Sequence, residues 1–375
     1  MLNEELLFTD GTPFYCTYIE TEHSYDVCLR VRTGADEAVS VHVRTQDGTY
    51  PMIKEMSRDG LDYYKICLKD CKSGESYDFE VSDGANSWFL NKRGVMREEN
   101  PFYNFIFIPG FETPEWARGA VFYQIYTDRF CNGNPDNDVL DNEYRYIDAP
   151  SVQVKDWNAY PEAMDVGRFY GGDLEGILSK LDYLEELGVE VLYLNPIFVS
   201  PSNHKYDIQD YDYVDPHFGV IVEDEGACLL ENAKDNTQAE RFICRVTNKK
   251  NLEASNACLV KLIEAAHERG MKVILDGVFN HCGSFNKWMD RERIYEHQPG
   301  YAPGAYVDEQ SPYHDFFQFF EDGSWPYNAH YDGWWGHDTL PKLNYEGSKT
   351  LEDYILRIAA KWVSPPFNAD GWRLD

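Results

Sequence analysis

Two short polar clusters contain the residues of this sequence with the clearest potential for chemistry. Asp276, Asn280 and His281 come at and after the end of an apolar run, and Arg373 and Asp375 end a second such run. Alternation along a strand places Arg373 and Asp375 on the same face. A guanidinium beside a carboxylate keeps that carboxylate ionised at neutral pH, as a nucleophile that attacks an anomeric carbon must be. A buried structural Arg–Asp pair has the same spacing, so spacing alone leaves both interpretations open.

Both clusters fall in a region where predicted strands and helices alternate. The apolar runs that predict buried parallel strands are 121–126, 189–194, 271–275 and 369–375. Apolar residues at helical spacing predict helices at 174–187, 259–266 and 351–362. We expect Asp173 to cap the first helix and Gly188 to end it. This alternation indicates parallel βαβ units, here the first half of a (β/α)8 TIM barrel, whose functional groups lie at the carboxyl ends of the strands.

The N-terminal part of the chain predicts a different architecture. Residues 1–112 alternate apolar and polar side chains in short segments separated by turn signals, as at Val27, Leu29 and Val31. This pattern indicates an antiparallel β-sandwich. The Pro- and Gly-containing stretch 109–114 then predicts a linker.

Two long interruptions separate the predicted elements of the half-barrel. Residues 282–345 are too long for an ordinary loop and rich in aromatic residues. They predict a small inserted domain over the C-terminal face, which leaves 113–281 and 346–375 for the half-barrel. Residues 220–255 contain acidic clusters, and we expect a surface elaboration there rather than a site.

Net charge, apolar runs and cysteine content restrict which partners the protein can bind and which compartment it occupies. The formal net charge of −31 argues against nucleic acid or an anionic membrane as a partner and suits a neutral ligand. The first residues show no signal-peptide pattern, and no apolar run is long enough to span a membrane. Nine cysteines without CxxC pairs predict reduced, mostly buried thiols rather than disulfides or a zinc site. We therefore expect a cytoplasmic protein.

Several motifs occur in an order that resembles the α-amylase family, glycoside hydrolase family 13. Residues 276–281 (DGVFNH) resemble its third-strand motif, and 371–375 (GWRLD) resemble its fourth-strand motif. Residues 331–336 (YDGWWG) and 340–344 (LPKLN) are similar to the inserted domain of the neopullulanase, cyclomaltodextrinase and maltogenic amylase branch. Segments 121–130, 170–177 and 204–211 match the first- and second-strand regions. The sequence is identified as a member of this family, with residues 1–111 resembling the branch's N-terminal module only loosely.

The resemblance implies a retaining α-glucan hydrolase in which Asp375 is the nucleophile and Arg373 its charge partner. Its expected substrates are α-1,4 bonds, with α-1,6 bonds as an open alternative, in maltodextrins, cyclodextrins or pullulan. The acid/base Glu and the second Asp of the family are expected beyond residue 375, after the fifth and seventh strands. We therefore expect the 375-residue chain alone to be inactive, because a retaining mechanism needs two carboxyl groups.

Substrate-binding roles also follow from the resemblance. It implies that His281 hydrogen-bonds the sugar in subsite −1 and that Tyr206 stacks on its face, with His204 and Asp276 in support. Aromatic rings suit the apolar face of a glucose ring, so Trp334 and Trp335 are candidate platforms, with core packing as the alternative for either. The N-terminal module implies carbohydrate binding or homodimerisation.

A structural calcium site is a further implication of the resemblance. The expected ligands are Asn132, Asn134, Asn137, Asp138, the carbonyl of Gly171 and the side chain of Asp173. Hard oxygen donors at this density suit Ca²⁺. Asn134 stands where the branch often has Asp, which removes one charge. Without the resemblance, the segment is simply a turn-rich loop.

Two alternatives to the hydrolase remain open from the sequence. One is a non-catalytic glucan-binding or assembly protein that kept the fold and lost the chemistry. The other stays within the family and is a transglycosylase or an isomerising enzyme. The presence of an acid/base Glu beyond residue 375 would favour an enzyme over the binding protein.

Overall fold

The structure is a computed structural model that describes residues 2–111, 113–321 and 323–375. The chain forms two compact units, Met1–Arg118 and Gly119–Asp375. The predicted linker at 109–114, of which residue 112 lies outside the described residues, comes just before this boundary in the sequence. No helix in the described ranges is long and apolar enough to cross a membrane.

The first unit consists of short antiparallel strands, as predicted. They are β1 (Cys16–Glu20), β2 (Tyr25–Gly34), β3 (Ser40–Thr45), β4 (Gly48–Pro51), β5 (Ile53–Arg58), β6 (Leu61–Cys71), β7 (Ser76–Ser82), β8 (Ser87–Asn91), β9 (Gly94–Met96) and β10 (Phe105–Ile106). One sheet has the order β1-β2-β6-β5, and the other has β4-β3-β7-β8-β9 with β10 on β7. Alternate residues of both sheets, among them Val31 and Val81, form one buried core. The burial of these apolar faces holds the two sheets together as a sandwich.

The prediction that the cysteines are reduced thiols is wrong for one pair. Cys28 on β2 and Cys67 on β6 lie opposite each other in the sheet and form a disulfide. The free cysteines among the described residues are Cys16, Cys71, Cys131, Cys228, Cys244, Cys258 and Cys282. The pair is separated by 39 residues in sequence and is brought together only by strand register. Spacing rules cannot detect a pair of this kind.

The second unit contains the four predicted parallel strands. They are β11 (Phe122–Ile125), β16 (Val191–Leu194), β19 (Lys272–Gly277) and β20 (Gly371–Leu374), in that order across one sheet. The connecting helices are α1 (Leu174–Ser179), α2 (Leu181–Glu186), α4 (Lys249–Glu268) and α5 (Lys349–Trp362). The helix predicted at 174–187 is therefore interrupted at Lys180. Asp173 caps α1 and Gly188 has a φ of 82°, both as predicted.

Short elements occupy the loops that leave the carboxyl ends of these strands. They are β12 (Arg145–Tyr146), β13 (Ala149–Pro150), β14 (Val152–Gln153), β15 (Arg168–Phe169), β17 (Phe198–Val199), β18 (Asp210–Val214) and α3 (Glu240–Thr247). In a parallel sheet all carboxyl ends meet at one edge. The loops 126–173, 195–248 and 278–348 therefore start from the same edge, which we call the carboxyl edge.

Segment 282–345 shares its hydrophobic core with the rest of the second unit. Its Trp288 and Phe316 belong to the same buried cluster as Leu194 and Leu275 of the parallel strands. In the described part of this segment the helical elements are single 3-10 turns, His314–Phe316 and Trp334–Gly336. The segment thus packs on the core of the parallel sheet. That it forms a small inserted domain over the C-terminal face stays a prediction.

Segment 220–255 is largely exposed over residues 221–240, in line with the predicted surface elaboration, but its helix α3 is partly buried. Phe242 of α3 is fully buried, with its ring centroid 4.1 Å from that of Tyr144 and 6.1 Å from that of Phe285. These three residues come from three different loops of the carboxyl edge. The segment therefore contributes to a buried cluster that joins those loops.

Candidate active site

Arg373 connects two carboxylates at the carboxyl edge. Register pairs Asp276 of β19 directly with Arg373 of β20. Arg373 Nη1 lies 3.2 Å from Asp276 Oδ1 and also donates to Asp375 Oδ1. The hydrogen bond to Asp375 is the main cause that raises the pKa of Arg373, so its charge is permanent. The predicted shared face of Arg373 and Asp375 is confirmed by this hydrogen bond.

Asp276 is held by its neighbours rather than free to react. The residue is 1% exposed and accepts hydrogen bonds from the Tyr193 hydroxyl at 2.5 Å and the Tyr206 hydroxyl at 2.9 Å. Burial raises its pKa, and the two hydroxyls and Arg373 counteract that rise. Asp276 therefore positions Arg373 and Tyr206. Sequence reasoning missed Tyr193, although its place near the carboxyl end of a predicted strand is a usable signal.

The two histidines of the site are placed around the backbone of Tyr206. The Tyr206 N–H donates to His204 Nδ1 at 3.1 Å, and His281 Nε2 donates to the Tyr206 carbonyl at 3.2 Å. Burial lowers the pKa of both rings, which favours neutral imidazoles. His281 Nδ1 is buried without a protein partner. In this tautomer it is an acceptor, suited to a hydroxyl of a bound ligand.

His281, Trp334 and Trp335 form a stack of three nearly parallel rings. The centroids of His281 and Trp334 are 4.8 Å apart, and those of Trp334 and Trp335 are 4.3 Å apart. Trp334 is the middle ring, so both of its faces are covered. Trp335 has a φ of 51° and its side chain is 81% exposed. Of the two predicted platforms, only Trp335 offers an open face to a ligand.

Backbone hydrogen bonds hold this stack at the end of β19. His281 and Lys342 form an antiparallel bridge, and the Leu343 N–H donates to the Asn280 carbonyl at 3.1 Å. The Trp334 N–H donates to the Leu340 carbonyl at 2.9 Å. The two motifs at 331–336 and 340–344 are thus placed directly beside the third-strand motif.

The six residues predicted to bind calcium form a compact oxygen-rich cluster. Asp138 accepts hydrogen bonds from Asn132 and Gln153, both at 2.8 Å, and burial raises its pKa to about 6, with Asp173 among the lesser causes. Gly171, with a φ of 82°, lies so close that a Cβ there would be 2.3 Å from Asp138 Oδ1. Two of the residues, Asn134 and Asp173, are engaged in local caps, because Asn134 Oδ1 accepts from the Asp136 N–H and Asp173 accepts from three backbone N–H groups.

The donor set of this cluster fits a hard cation. The side-chain oxygens of Asn132 and Asn137 are buried and have no hydrogen-bond partner. Within the described ranges, no group of three or more His, Cys, Asp or Glu side chains is arranged to hold a metal ion. The cluster instead combines two carboxylates with amide and carbonyl oxygens, a hard donor set that fits Ca²⁺.

Comparison with known proteins identifies the family. The Alpha-amylase family model (Alpha amylase, catalytic domain) matches residues 124–237 and 254–375, well over half of the chain. The chain belongs to the alpha-amylase family. The matched residues include the two polar clusters, 276–281 and 373–375. They leave out residues 238–253, which contain α3.

Relatives and solved structures of this alpha-amylase family member agree with the assignment. The chain is 30% identical to a cyclomaltodextrinase of Thermoanaerobacter pseudethanolicus, over all of the chain and 57% of that protein. It is 33% identical to an intracellular maltogenic amylase of Bacillus subtilis, over 94% of the chain and 53% of that protein. The type III pullulan hydrolase from Thermococcus kodakarensis superimposes with a TM-score of 0.57 at 27% identity, over 97% of the chain and 54% of that structure. The chain thus spans little more than half the length of these proteins.

Proposed function

We propose that this chain provides the nucleophile and the −1 sugar site of a retaining α-glucan hydrolase. The observation that carries the proposal is the contact of Arg373 with both Asp276 and Asp375 at the carboxyl edge. Asp375 attacks the anomeric carbon as an anion, the glycosidic bond breaks, and a glucosyl ester forms on the carboxylate. Arg373 donates a hydrogen bond to the Asp375 carboxylate, and Asp276 fixes Arg373 in place.

The second carboxyl group of the mechanism is not Asp276. A retaining enzyme needs an acid/base carboxyl about 5–5.5 Å from the nucleophile. Asp276 is buried and already accepts from two tyrosines and Arg373, so it cannot reach a leaving-group oxygen. We propose that this group belongs to the complete protein, in which the four parallel strands form the first half of a (β/α)8 barrel.

The relatives suggest the substrate class. Those proteins are named cyclomaltodextrinase and maltogenic amylase, and a similar structure is a pullulan hydrolase. We propose α-1,4 bonds of maltodextrins or cyclodextrins, and α-1,6 bonds of pullulan, as substrates.

A cytoplasmic location is proposed from the intracellular Bacillus relative. The N-terminal sandwich is proposed as a carbohydrate-binding or dimerisation module.

The hydrolase proposal is tested on the complete gene product. Reducing-sugar release from maltoheptaose, β-cyclodextrin and pullulan is measured, and the anomer of the first product is followed by NMR. Release of the α-anomer supports the proposal, since the bond cleaved is α. Release of the β-anomer would contradict retention, and absence of any cleavage together with tight maltodextrin binding would favour a glucan-binding protein.

Trp335 is proposed as the open aromatic platform for a sugar ring. Trp335→Ala should weaken maltodextrin binding by roughly 3- to 10-fold, since aromatic packing of this kind contributes about 0.5–1.5 kcal/mol. The variant should keep the melting temperature, because the ring is 81% exposed. Phe320→Ala, which removes another exposed ring in the same long loop, is the control. Unchanged affinity of Trp335→Ala, measured by calorimetry, would exclude Trp335 from binding.

A structural calcium ion is proposed at the oxygen cluster, with Asn132, Asn137, Asp138 and the Gly171 carbonyl as ligands. When bound, the ion neutralises the carboxylates there and links loop 132–138 to the start of α1. Excess chelator should lower the melting temperature by about 5–10 °C if calcium is near 100 times its Kd. Asp138→Asn should remove the response to chelator, while Asp136→Asn, an exposed change in the same loop, should retain it. A wild-type melting curve that chelator leaves unchanged would contradict the proposal.

A further inference from the structure

A polar cavity of about 190 Å³ lies among the loops of the carboxyl edge. Its walls include Arg145, Asp148, Asn236, Arg291, Glu292 and Asp338. Each of the three long loops contributes to it, and Asn236 comes from segment 220–255. The proposed catalytic and −1 residues are not part of its lining.

One wall of the cavity continues directly to His281. Segments 281–284 and 339–342 run side by side. The His281–Lys342 bridge joins them, and the Cys282 N–H donates to the Pro341 carbonyl and the Ser284 N–H to the Thr339 carbonyl. Ser284 and Thr339 line the cavity. Three residues of extended chain span at most about 11 Å. Ser284 in the cavity wall is therefore at most about 11 Å from His281, a distance that a short oligosaccharide spans.

The polar groups of the cavity are fixed in place by their partners. Asn236, 1% exposed, accepts from the Arg145 N–H at 2.7 Å and donates to Glu292 Oε2 at 2.9 Å. Arg291 pairs with Asp338 at 2.8 Å. Donors and acceptors that are ordered before binding lose little entropy when a ligand binds.

The charges of the cavity favour a neutral, hydroxyl-rich ligand. The lining contains three basic residues, Arg145, Lys234 and Arg291, and four acidic ones, Asp148, Asp235, Glu292 and Asp338. Opposite charges nearly balance, which disfavours a strongly anionic or cationic ligand. Carboxylates, guanidinium groups and an amide together can donate to and accept from neighbouring hydroxyls. The volume is close to that of a single pyranose ring.

We propose that this cavity is a second sugar subsite, which binds another glucosyl unit of the same α-glucan chain that occupies the site at His281 and Trp335. The inference rests on the proposed function and extends it. It gives segment 220–255 a role in substrate binding through Asn236. It also implies that the protein binds longer oligosaccharides more tightly than maltose, which is too short to fill both sites.

The test compares maltose with maltohexaose by isothermal titration calorimetry on the complete gene product, with Asp375→Asn as the common background so that the sugars are not cleaved. Thr339→Trp places a large ring in the cavity and keeps the backbone hydrogen bond of residue 339. It should weaken maltohexaose binding by at least about 10-fold, one lost sugar contact of roughly 1.4 kcal/mol, and leave maltose binding unchanged. Glu292→Ala should weaken maltohexaose binding in the same direction. Thr350→Trp, at an exposed position of α5 and outside the lining of this cavity, is the matched control.

The outcomes separate this inference from the proposed function. Normal maltohexaose affinity in both Thr339→Trp and Glu292→Ala would overturn the second subsite, while the proposed function would stand on binding by the Asp375→Asn background. Equal loss of maltose and maltohexaose binding in Thr339→Trp, with the control unaffected, would also overturn it, because the cavity would then not be a separate subsite. Failure of the Asp375→Asn background to bind either sugar would overturn the proposed function itself.

Discussion

Replacement of Asp375 by Asn is expected to lower turnover of maltodextrin by at least about 10³-fold while substrate binding stays measurable. Asn has nearly the same shape but no negative charge, so it cannot form the glucosyl ester. The amide also weakens the interaction with Arg373, which contacts the Asp375 carboxylate in the wild type. Because the nucleophile acts mainly in the transition state, the loss should appear in kcat rather than in KM.

The measurement uses the complete gene product, with kcat and KM determined on maltoheptaose. Asp353→Asn is the matched control, since it removes a carboxylate from an exposed ion pair with Lys349 on α5. That change should leave kcat within about twofold, as exposed pairs contribute little. Near-normal turnover by Asp375→Asn would remove Asp375 from the nucleophile's role.

Replacement of Lys205 by Met is expected to destabilise the second unit by about 3–5 kcal/mol. Lys205 is fully buried, and its Nζ donates to Asp215 Oδ2 at 2.7 Å and to the Ser200 carbonyl at 2.9 Å. Burial alone would raise the pKa of Asp215, but Lys205 and His217 hold it well below its usual range. Removal of Lys205 leaves a buried carboxylate without one of its two cationic partners.

This effect is measured by urea denaturation followed by tryptophan fluorescence. Lys349→Met serves as the control, because Lys349 is 68% exposed and pairs with carboxylates at the surface. Its expected cost is below about 1 kcal/mol. A loss of less than 1 kcal/mol for Lys205→Met would show that the buried network does not depend on this residue.

The parts of the fold that can be predicted from the sequence are those with local signals. Buried parallel strands are continuous apolar runs, and Asp173 and Gly188 mark helix ends by their own chemistry. The pairing of Arg373 with Asp375 follows from strand alternation, which operates over two residues. The oxygen cluster around Asp138 depends on the resemblance, since its ligands come from segments about 35 residues apart.

The unpredicted parts depend on contacts between distant segments. Tyr193 and Asp276 meet because neighbouring strands place both side chains at one edge, 83 residues apart in sequence. The rings of His281 and Trp335 cover the two faces of Trp334, because the long loop that carries both tryptophans packs against His281. Acidic composition suggests a surface location for segment 220–255, which holds for most of residues 221–240, whereas the few apolar residues of α3 decide the burial of that helix. In each case the average pattern of a segment does not reveal which single residues make the contact.

The cluster formed by Tyr144, Phe242 and Phe285 has a consequence for how this protein tolerates changes in length. Loops at the surface can usually be shortened or lengthened at little cost. A deletion that removed α3 would take Phe242 away from both other rings and leave an apolar void between two loops that carry site residues. Variation in the length of α3 is therefore constrained by packing. Natural or engineered trimming there must be matched by changes at positions 144 and 285.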